Sequence, residues 1–83
     1  MQASGLNNDK AMRKYWEDLS REKSSDEIIL ALSVINATSA KVVRWHYQES
    51  KSFTQIKELL GRSISTVRNH HSRGMFELQR RFN

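Results

Sequence analysis

The sequence predicts an all-α domain of four or five helices that ends in a helix-turn-helix. The chain has 83 residues with no proline and only three glycines, a composition that favours uninterrupted helices. Apolar residues recur at helical spacing in several windows along the chain. Helix-capping side chains precede these windows, so each predicted helix has a defined start.

The first predicted helix is an amphipathic segment near the N-terminus. Asn7 or Asn8 can accept a hydrogen bond from an amide of its first turn. Its apolar stripe consists of Met12, Tyr15, Trp16 and Leu19. That spacing corresponds to a helix of about four turns. We expect Tyr15 and Trp16 either to pack into the core or to contact a partner subunit, and the small size of the domain favours core packing.

A second helix is predicted from Ser24 onward. Ser24 followed three residues later by Glu27 is the spacing of a capping box. The apolar stripe of this helix consists of Ile28, Ala31, Leu32 and Ile35. We expect the helix to end near Asn36.

The third predicted helix begins at Thr38 or Ser39, either of which can act as its N-cap. The inward-facing residues of this helix are Val42, Val43 and Tyr47. Trp45 and His46 are expected on its flanks.

The fourth and fifth helices form the helix-turn-helix. Ser52 and Gln55 have capping-box spacing, and Gly61 follows about two turns later, where a helix end favours positive φ. Ser63 can cap the next helix, and the chain then has no glycine or proline until Gly74. The pattern therefore predicts a short helix, a glycine turn and a longer helix.

The longer helix has two different faces at about 100° per residue. One face is expected to pack inward and carries Val67, His71, Gly74, Met75, Leu78 and Phe82. The opposite face carries Arg68, Asn69, Ser72, Arg73 and Phe76. We expect a single apolar seam to fix the angle between the two helices, formed by Ile56, Leu59, Leu60, Val67, Met75 and Leu78. Since arginine can bond bidentately to guanine and asparagine to adenine, the outer face is typical of a DNA reader.

The positive charge is concentrated in the same part of the chain. Residues 38–83 contain nine lysines or arginines against three acidic residues, whereas residues 1–37 contain five against six. A basic module of this kind suits a polyanion such as nucleic acid. A basic face that is merely solvated is the alternative reading.

The helix-turn-helix resembles a known family. The second motif helix resembles region 4 of bacterial sigma factors, and the extracytoplasmic-function group is the most similar. The resemblance lies in Ser63, the string TVRNH at residues 66–70, residues 72–74 and Leu78. Residues 40–47 are similar to the lead-in helix of that family. TVRNH is also similar to LuxR-type response regulator domains. The resemblance covers roughly the last fifty residues.

The resemblance implies sequence-specific binding of double-stranded DNA in transcription, with the second motif helix in the major groove. The residues expected at base edges are Arg68, Asn69, Ser72 and Arg73. Those expected at phosphates are Lys57, Arg62, Ser65 and Thr66. On this reading residues 38–83 form the DNA-binding domain, and residues 1–37 form a helical segment for packing or partner contact.

Two alternatives stay open beside DNA reading. The first is a protein-interaction module that binds RNA polymerase or an anti-sigma factor, and the second is a LuxR-like effector that acts as a homodimer. Nothing in the chain resembles the sigma region that melts promoters and grips the polymerase, so we do not expect a complete sigma factor.

Two residues depart from the family pattern. Lys57 stands where these motifs usually have alanine or glycine at the close approach of the helices, and its long stem would have to reach outward. His71 stands where an apolar residue is usual, so a polar ring is expected in the packing, partly buried.

Enzymatic, metal and membrane readings are disfavoured. The adjacent His70 and His71 point in different directions on a helix and His46 is isolated, so a shared metal ion is not expected. No serine, histidine and acid have a recognisable catalytic spacing. We therefore expect a non-enzyme without a cofactor. The chain shows no membrane-length apolar run and no secretory signal, and zero cysteine is compatible with the cytoplasm, where we expect the protein to act.

Overall fold

A computed structural model of the chain describes residues 8–82. Within that range it contains five α-helices and no strand, which confirms the predicted all-α class. The helices are α1 (Asp9–Glu22), α2 (Ser25–Ile35), α3 (Ala37–Val43), α4 (Phe53–Leu60) and α5 (Ile64–Phe82). A π-helical turn, Arg44–Gln48, continues α3.

Three of the predicted helix starts are confirmed by their caps. The side chain of Asn8 accepts from the amide of Ala11 at 2.8 Å, while the other candidate cap of α1, Asn7, lies outside the described residues. Ser24 accepts from the amide of Glu27 at 3.1 Å. At the start of α4, Ser52 and Gln55 bond each other's backbone amides at 3.2 and 2.9 Å, which completes a reciprocal capping box.

The predicted cap of the third helix is wrong. Asn36, not Thr38 or Ser39, caps α3, because its side chain accepts from the amide of Ser39 at 3.1 Å. Asn36 also ends α2, donating its own amide to the carbonyl of Leu32 at 2.8 Å. A single extended residue thus separates the two helices, and Ser39 falls inside α3, where it is buried.

The π-helical turn carries the chain from α3 towards α4. The amide of Lys51 donates to the carbonyl of Trp45 at 2.9 Å, and Ser50 adopts a positive φ of 56°. In this wide turn Nδ1 of His46 lies 2.8 Å from the carbonyl oxygen of Lys51. The turn directs Tyr47 inward, as predicted, where it packs against the core.

The main core joins four of the helices. Its buried members are Met12, Trp16, Leu19, Ile28, Leu32, Ala40, Val43, Met75 and Leu78. Trp16 of α1 stacks on Tyr47 with ring centroids 5.1 Å apart and planes 11° apart. These residues come from both sides of the predicted boundary between 37 and 38, and the division of the chain at that point stays a prediction.

Gly74 allows α5 to pack closely on the helices beneath it. A Cβ placed on Gly74 would lie 2.9 Å from Cγ2 of Val43 and 3.3 Å from Cδ2 of Leu32. Only a residue without a side chain fits there, and this contact sets the distance between α3 and α5.

Candidate nucleic-acid interface

The turn between α4 and α5 is formed by residues that the sequence identified. Gly61 ends α4 in the left-handed conformation, with φ 72° and ψ 34°, and donates its amide to the carbonyl of Lys57 at 2.9 Å. Ser63 accepts from the amide of Thr66 at 3.2 Å and so caps the start of α5. The end of α4, the turn and the start of α5 therefore follow from local capping chemistry.

The seam that holds α4 against α5 is smaller than predicted. Ile56 of α4 and Val67 of α5 are fully buried together with Val42 of α3, and Trp45, Phe53 and Leu60 pack around them. Met75 and Leu78 instead join the main core, because α4 is too short to reach the second half of α5.

Leu59 is also misplaced in the predicted seam, since it is 54% exposed. Ile56 and Leu60 occupy the inner side of this two-turn helix, and Leu59 points to solvent.

His71 anchors the inner face of α5. It is only 1% exposed, so its ring is more deeply buried than the sequence suggested. Its Nε2 lies 2.7 Å from the hydroxyl of Tyr47, and its ring makes close contacts with His46 and Phe53. Burial, reinforced by the nearby His46, lowers the pKa of His71 to about 4. The ring is therefore neutral at physiological pH and can accept the hydrogen bond from Tyr47.

The outer face of α5 presents the four predicted base-edge residues together. The exposed residues are Arg68, Asn69, Ser72 and Arg73. Phe76 continues this face, and the guanidinium of Arg80 lies 5.9 Å from the centre of its ring. A groove of about 580 Å³ lies along the same side and includes Asn69, Ser72 and Arg73 in its lining. Hydrogen-bonding side chains and a bulky apolar group are thus available to a partner on this face.

Arg68 has partners that sequence reasoning did not identify. Its Nη2 lies 3.2 Å from Oδ2 of Asp9, the first residue of α1, and its Cζ lies 5.2 Å from the centre of the Phe53 ring. Asp9 and Arg68 are 59 positions apart in the chain. Helical periodicity relates residues only within one helix, so no local signal could have paired them.

The predicted phosphate-binding residues occupy two places. Arg62 and Ser65 are exposed around the start of α5, where helix amides favour an anion. Thr66 is partly buried there, and its hydroxyl oxygen lies 3.1 Å from that of Ser63. Lys57 lies on α4, and its Nζ is 3.3 Å from a carboxylate oxygen of Glu58. The Lys57 side chain is 42% exposed, so its stem reaches outward from the close approach of the two helices.

The described part of the chain offers neither a metal-binding cluster nor a membrane-spanning helix. Residues 8–82 contain no group of three histidine, cysteine or acidic side chains that could hold a metal ion. Among the same residues, no helix has the length and apolarity needed to cross a membrane.

Comparison with known proteins gives one match. Residues 31–80 match the sequence model of the family described as Sigma-70, region 4. The match begins within α2 and includes α4, the turn and all but the last two residues of α5, but not α1. Curated proteins give no match, and neither do solved structures. The similarities to the extracytoplasmic-function group and to LuxR-type domains stay predictions.

Proposed function

The chain belongs to the sigma-70 region 4 family, and from that premise we propose that it binds double-stranded DNA in transcription, with α5 in the major groove. The observation that carries the proposal is the exposed row of Arg68, Asn69, Ser72 and Arg73 on the second helix of a helix-turn-helix. A row of this kind can recognise a base sequence only if the helix keeps a fixed orientation. The buried contact of Ile56 with Val67 and the close packing at Gly74 support such an orientation.

The chemistry of the row fits base edges better than phosphates alone. A guanidinium can donate two parallel hydrogen bonds to guanine, and a carboxamide can bond adenine as both donor and acceptor. Arg62 and Ser65 lie before and at the beginning of the same helix, where contacts to the DNA backbone would set its register. In this proposal the turn positions the protein on the duplex and the exposed face selects the sequence.

Selection of bound duplexes from a random pool tests the proposal. The full chain should enrich a defined site at low salt, and Asn69→Ala should relax preference at one position of that site. A variant at the exposed Thr54 of α4, Thr54→Ala, serves as the matched control and should enrich the wild-type site. Failure of the wild-type chain to enrich any sequence would overturn specific DNA recognition.

A second candidate function is supported by an exposed apolar surface on α2. Leu30 and Val34 lie one turn apart and are 68% and 83% exposed. Neighbouring apolar side chains in solvent are typical of protein contact sites. We propose as the alternative a protein-interaction module that binds RNA polymerase or an anti-sigma factor through this surface.

The two candidates differ in their response to salt. Binding to random duplex should weaken steeply as salt rises, whereas apolar contact with a polymerase fragment should change little. The double variant Leu30→Ser, Val34→Ser should abolish polymerase-fragment binding and leave duplex binding intact. Unaltered fragment binding by this variant would exclude the α2 surface. Sedimentation of the full chain tests the homodimer and the LuxR-like alternative.

A further inference from the structure

The start of α1 lies against the DNA-facing end of α5. Asp9 is the first residue of α1, and its carboxylate contacts the guanidinium of Arg68 at 3.2 Å. Arg68 lies in the second turn of α5, beyond the cap at Ser63. Since α1 falls outside the matched residues 31–80, this contact adds an element to the family's helix-turn-helix.

The guanidinium of Arg68 is held from two directions. Asp9 contacts its Nη2, and the face of Phe53 lies 5.2 Å from its central carbon. An arginine has five N–H donors, and within residues 8–82 only one of those of Arg68, on Nη2, has a protein acceptor. The second N–H of Nη2 is left. With the neighbouring N–H of Nη1 or of Nε it forms a pair of parallel donors for a ligand, while the plane of the group is restrained.

The contact contributes little to folding. The side chains of Asp9 and Arg68 are both about half exposed, at 50% and 53%, and an ion pair this exposed to solvent adds little to stability. A carboxylate beside a DNA-binding face also repels phosphates. The Asp9 carboxylate therefore weakens binding to DNA of any sequence through its charge. What its contact with Arg68 can provide is a fixed orientation of the guanidinium.

We propose that Asp9 is a positioning residue that orients Arg68 to donate two hydrogen bonds to a guanine. The inference rests on the proposed function, in which α5 reads the major groove. Restraint of the guanidinium before binding reduces the number of side-chain conformations lost on contact with the base. Asp9 therefore increases discrimination between guanine and other bases, while the repulsion of phosphates by its carboxylate weakens the sequence-independent part of DNA affinity.

If Asp9 instead masked Arg68 from DNA, removal of Asp9 would change discrimination in the opposite direction. If Asp9 held Arg68 away from DNA, its removal would strengthen binding to the selected site more than binding to random duplex. Discrimination would then rise. The direction of the change in discrimination separates positioning from masking.

The test measures dissociation constants of the full chain for three duplexes at one salt concentration. These are the selected site, the same site with the guanine at the Arg68 position replaced, and a random duplex. Asp9→Ala and Asp9→Asn should lower discrimination against the replaced guanine by about two- to fivefold, the range of an exposed ion pair. Both variants should bind random duplex at least as tightly as the wild type.

Asp18→Ala is the matched control. Asp18 is also an exposed acid of α1 in ion pairs, with Lys14 and Arg21, so its removal changes the net charge equally. Discrimination should be unchanged in this variant. In the Arg68→Ala background, Asp9→Ala should have no further effect on discrimination, because the side chain that it positions is absent.

Distinct outcomes separate failure of the inference from failure of the proposed function. If Arg68→Ala lowers discrimination and Asp9→Ala leaves it unchanged or raises it, positioning by Asp9 is overturned and DNA reading stands. If Arg68→Ala also leaves discrimination unchanged, the role of Arg68 in base reading is wrong. Circular dichroism and melting of each variant establish that the fold is retained, and the Asp9→Asn variant preserves side-chain size.

Discussion

The hydroxyl of Tyr47 lies 2.7 Å from Nε2 of His71 and joins the π-helical turn to the inner face of α5. The tyrosine hydroxyl can donate in this bond when Nε2 carries the lone pair of the neutral imidazole. Burial lowers the pKa of His71 to about 4 and raises the pKa of Tyr47 above its ordinary value. Both groups are thus neutral over a broad range of pH, and α5 keeps this inner contact throughout that range.

The stability of the domain should fall as the pH drops from about 6.5 to about 4. The pKa of His71 is 6.5 when exposed and about 4 in the folded chain, so between these values the unfolded chain binds more protons. The contribution of the neutral His71 ring to folding stability is complete above pH 6.5 and is lost as the pH falls from about 6.5 to about 4. The free energy of unfolding should decrease by up to about 3 kcal/mol. Urea denaturation at a series of pH values measures this decrease in the free energy of unfolding.

Two variants separate the causes of this pH dependence. His71→Gln keeps a hydrogen-bond acceptor for Tyr47 and removes the titrating ring, so its stability should vary less than that of the wild type between pH 4.5 and 6.5. Tyr47→Phe keeps the burial of the histidine and should lose about 1 kcal/mol at neutral pH through the missing bond. Equal slopes for the wild type and His71→Gln would contradict the assignment to His71.

Gly74→Ala should destabilise the domain, although alanine normally favours a helix over glycine by about 1 kcal/mol. The added methyl group would meet Cγ2 of Val43 at 2.9 Å in a buried position, which forces α3 and α5 apart. Overpacking of this kind costs about 1 to 3 kcal/mol. Ser72→Ala on the exposed side of α5 is the control and should leave the melting temperature within a few degrees of wild type. A Gly74→Ala variant as stable as wild type would show that the packing adjusts.

The features that depend on local chemistry were predictable from the sequence. The caps at Ser24 and Ser52 and the turn at Gly61 involve residues within one or two helical turns of each other, so spacing alone identified them. The exposed and buried faces of α5 follow from the helical repeat. His71 appears on the inner face for the same reason.

The features that depend on tertiary packing were not predictable in the same way. Leu59 is apolar and its position in α4 made it a plausible member of the seam. Only the packing of α4 against α5 shows that Ile56 and Leu60 fill the contact and that Leu59 lies outside it. The cap at Asn36 is local, but it was missed because one residue both ends α2 and begins α3, a break shorter than the sequence suggested. The pair of Asp9 and Arg68 required the position of α1 against α5.

Variants of the proposed interface should separate base contacts from phosphate contacts. Arg68→Ala or Asn69→Ala should cost about 1 to 3 kcal/mol at the selected site and relax preference at one base pair. Arg62→Ala should weaken binding to all sequences alike and reduce the salt slope by about one. Mobility-shift titrations over a range of salt measure both quantities. A uniform effect of all three variants would show that the faces are assigned wrongly.

Trp16→Ala should destabilise the whole domain by about 3 to 5 kcal/mol, the usual cost of truncating a large buried aromatic residue. Trp16 lies in α1, outside the matched residues 31–80, yet it is buried and stacks on Tyr47, which in turn bonds to His71 of α5. Loss of the Trp16 ring therefore removes support from Tyr47 and, through it, from His71 on the inner face of α5. Chemical denaturation of the full chain gives the change in unfolding free energy. Leu30→Ala, at a site 68% exposed, is the control and should change it by less than about 0.5 kcal/mol. An equally small effect of Trp16→Ala would show that α1 is dispensable to the packing of the helix-turn-helix.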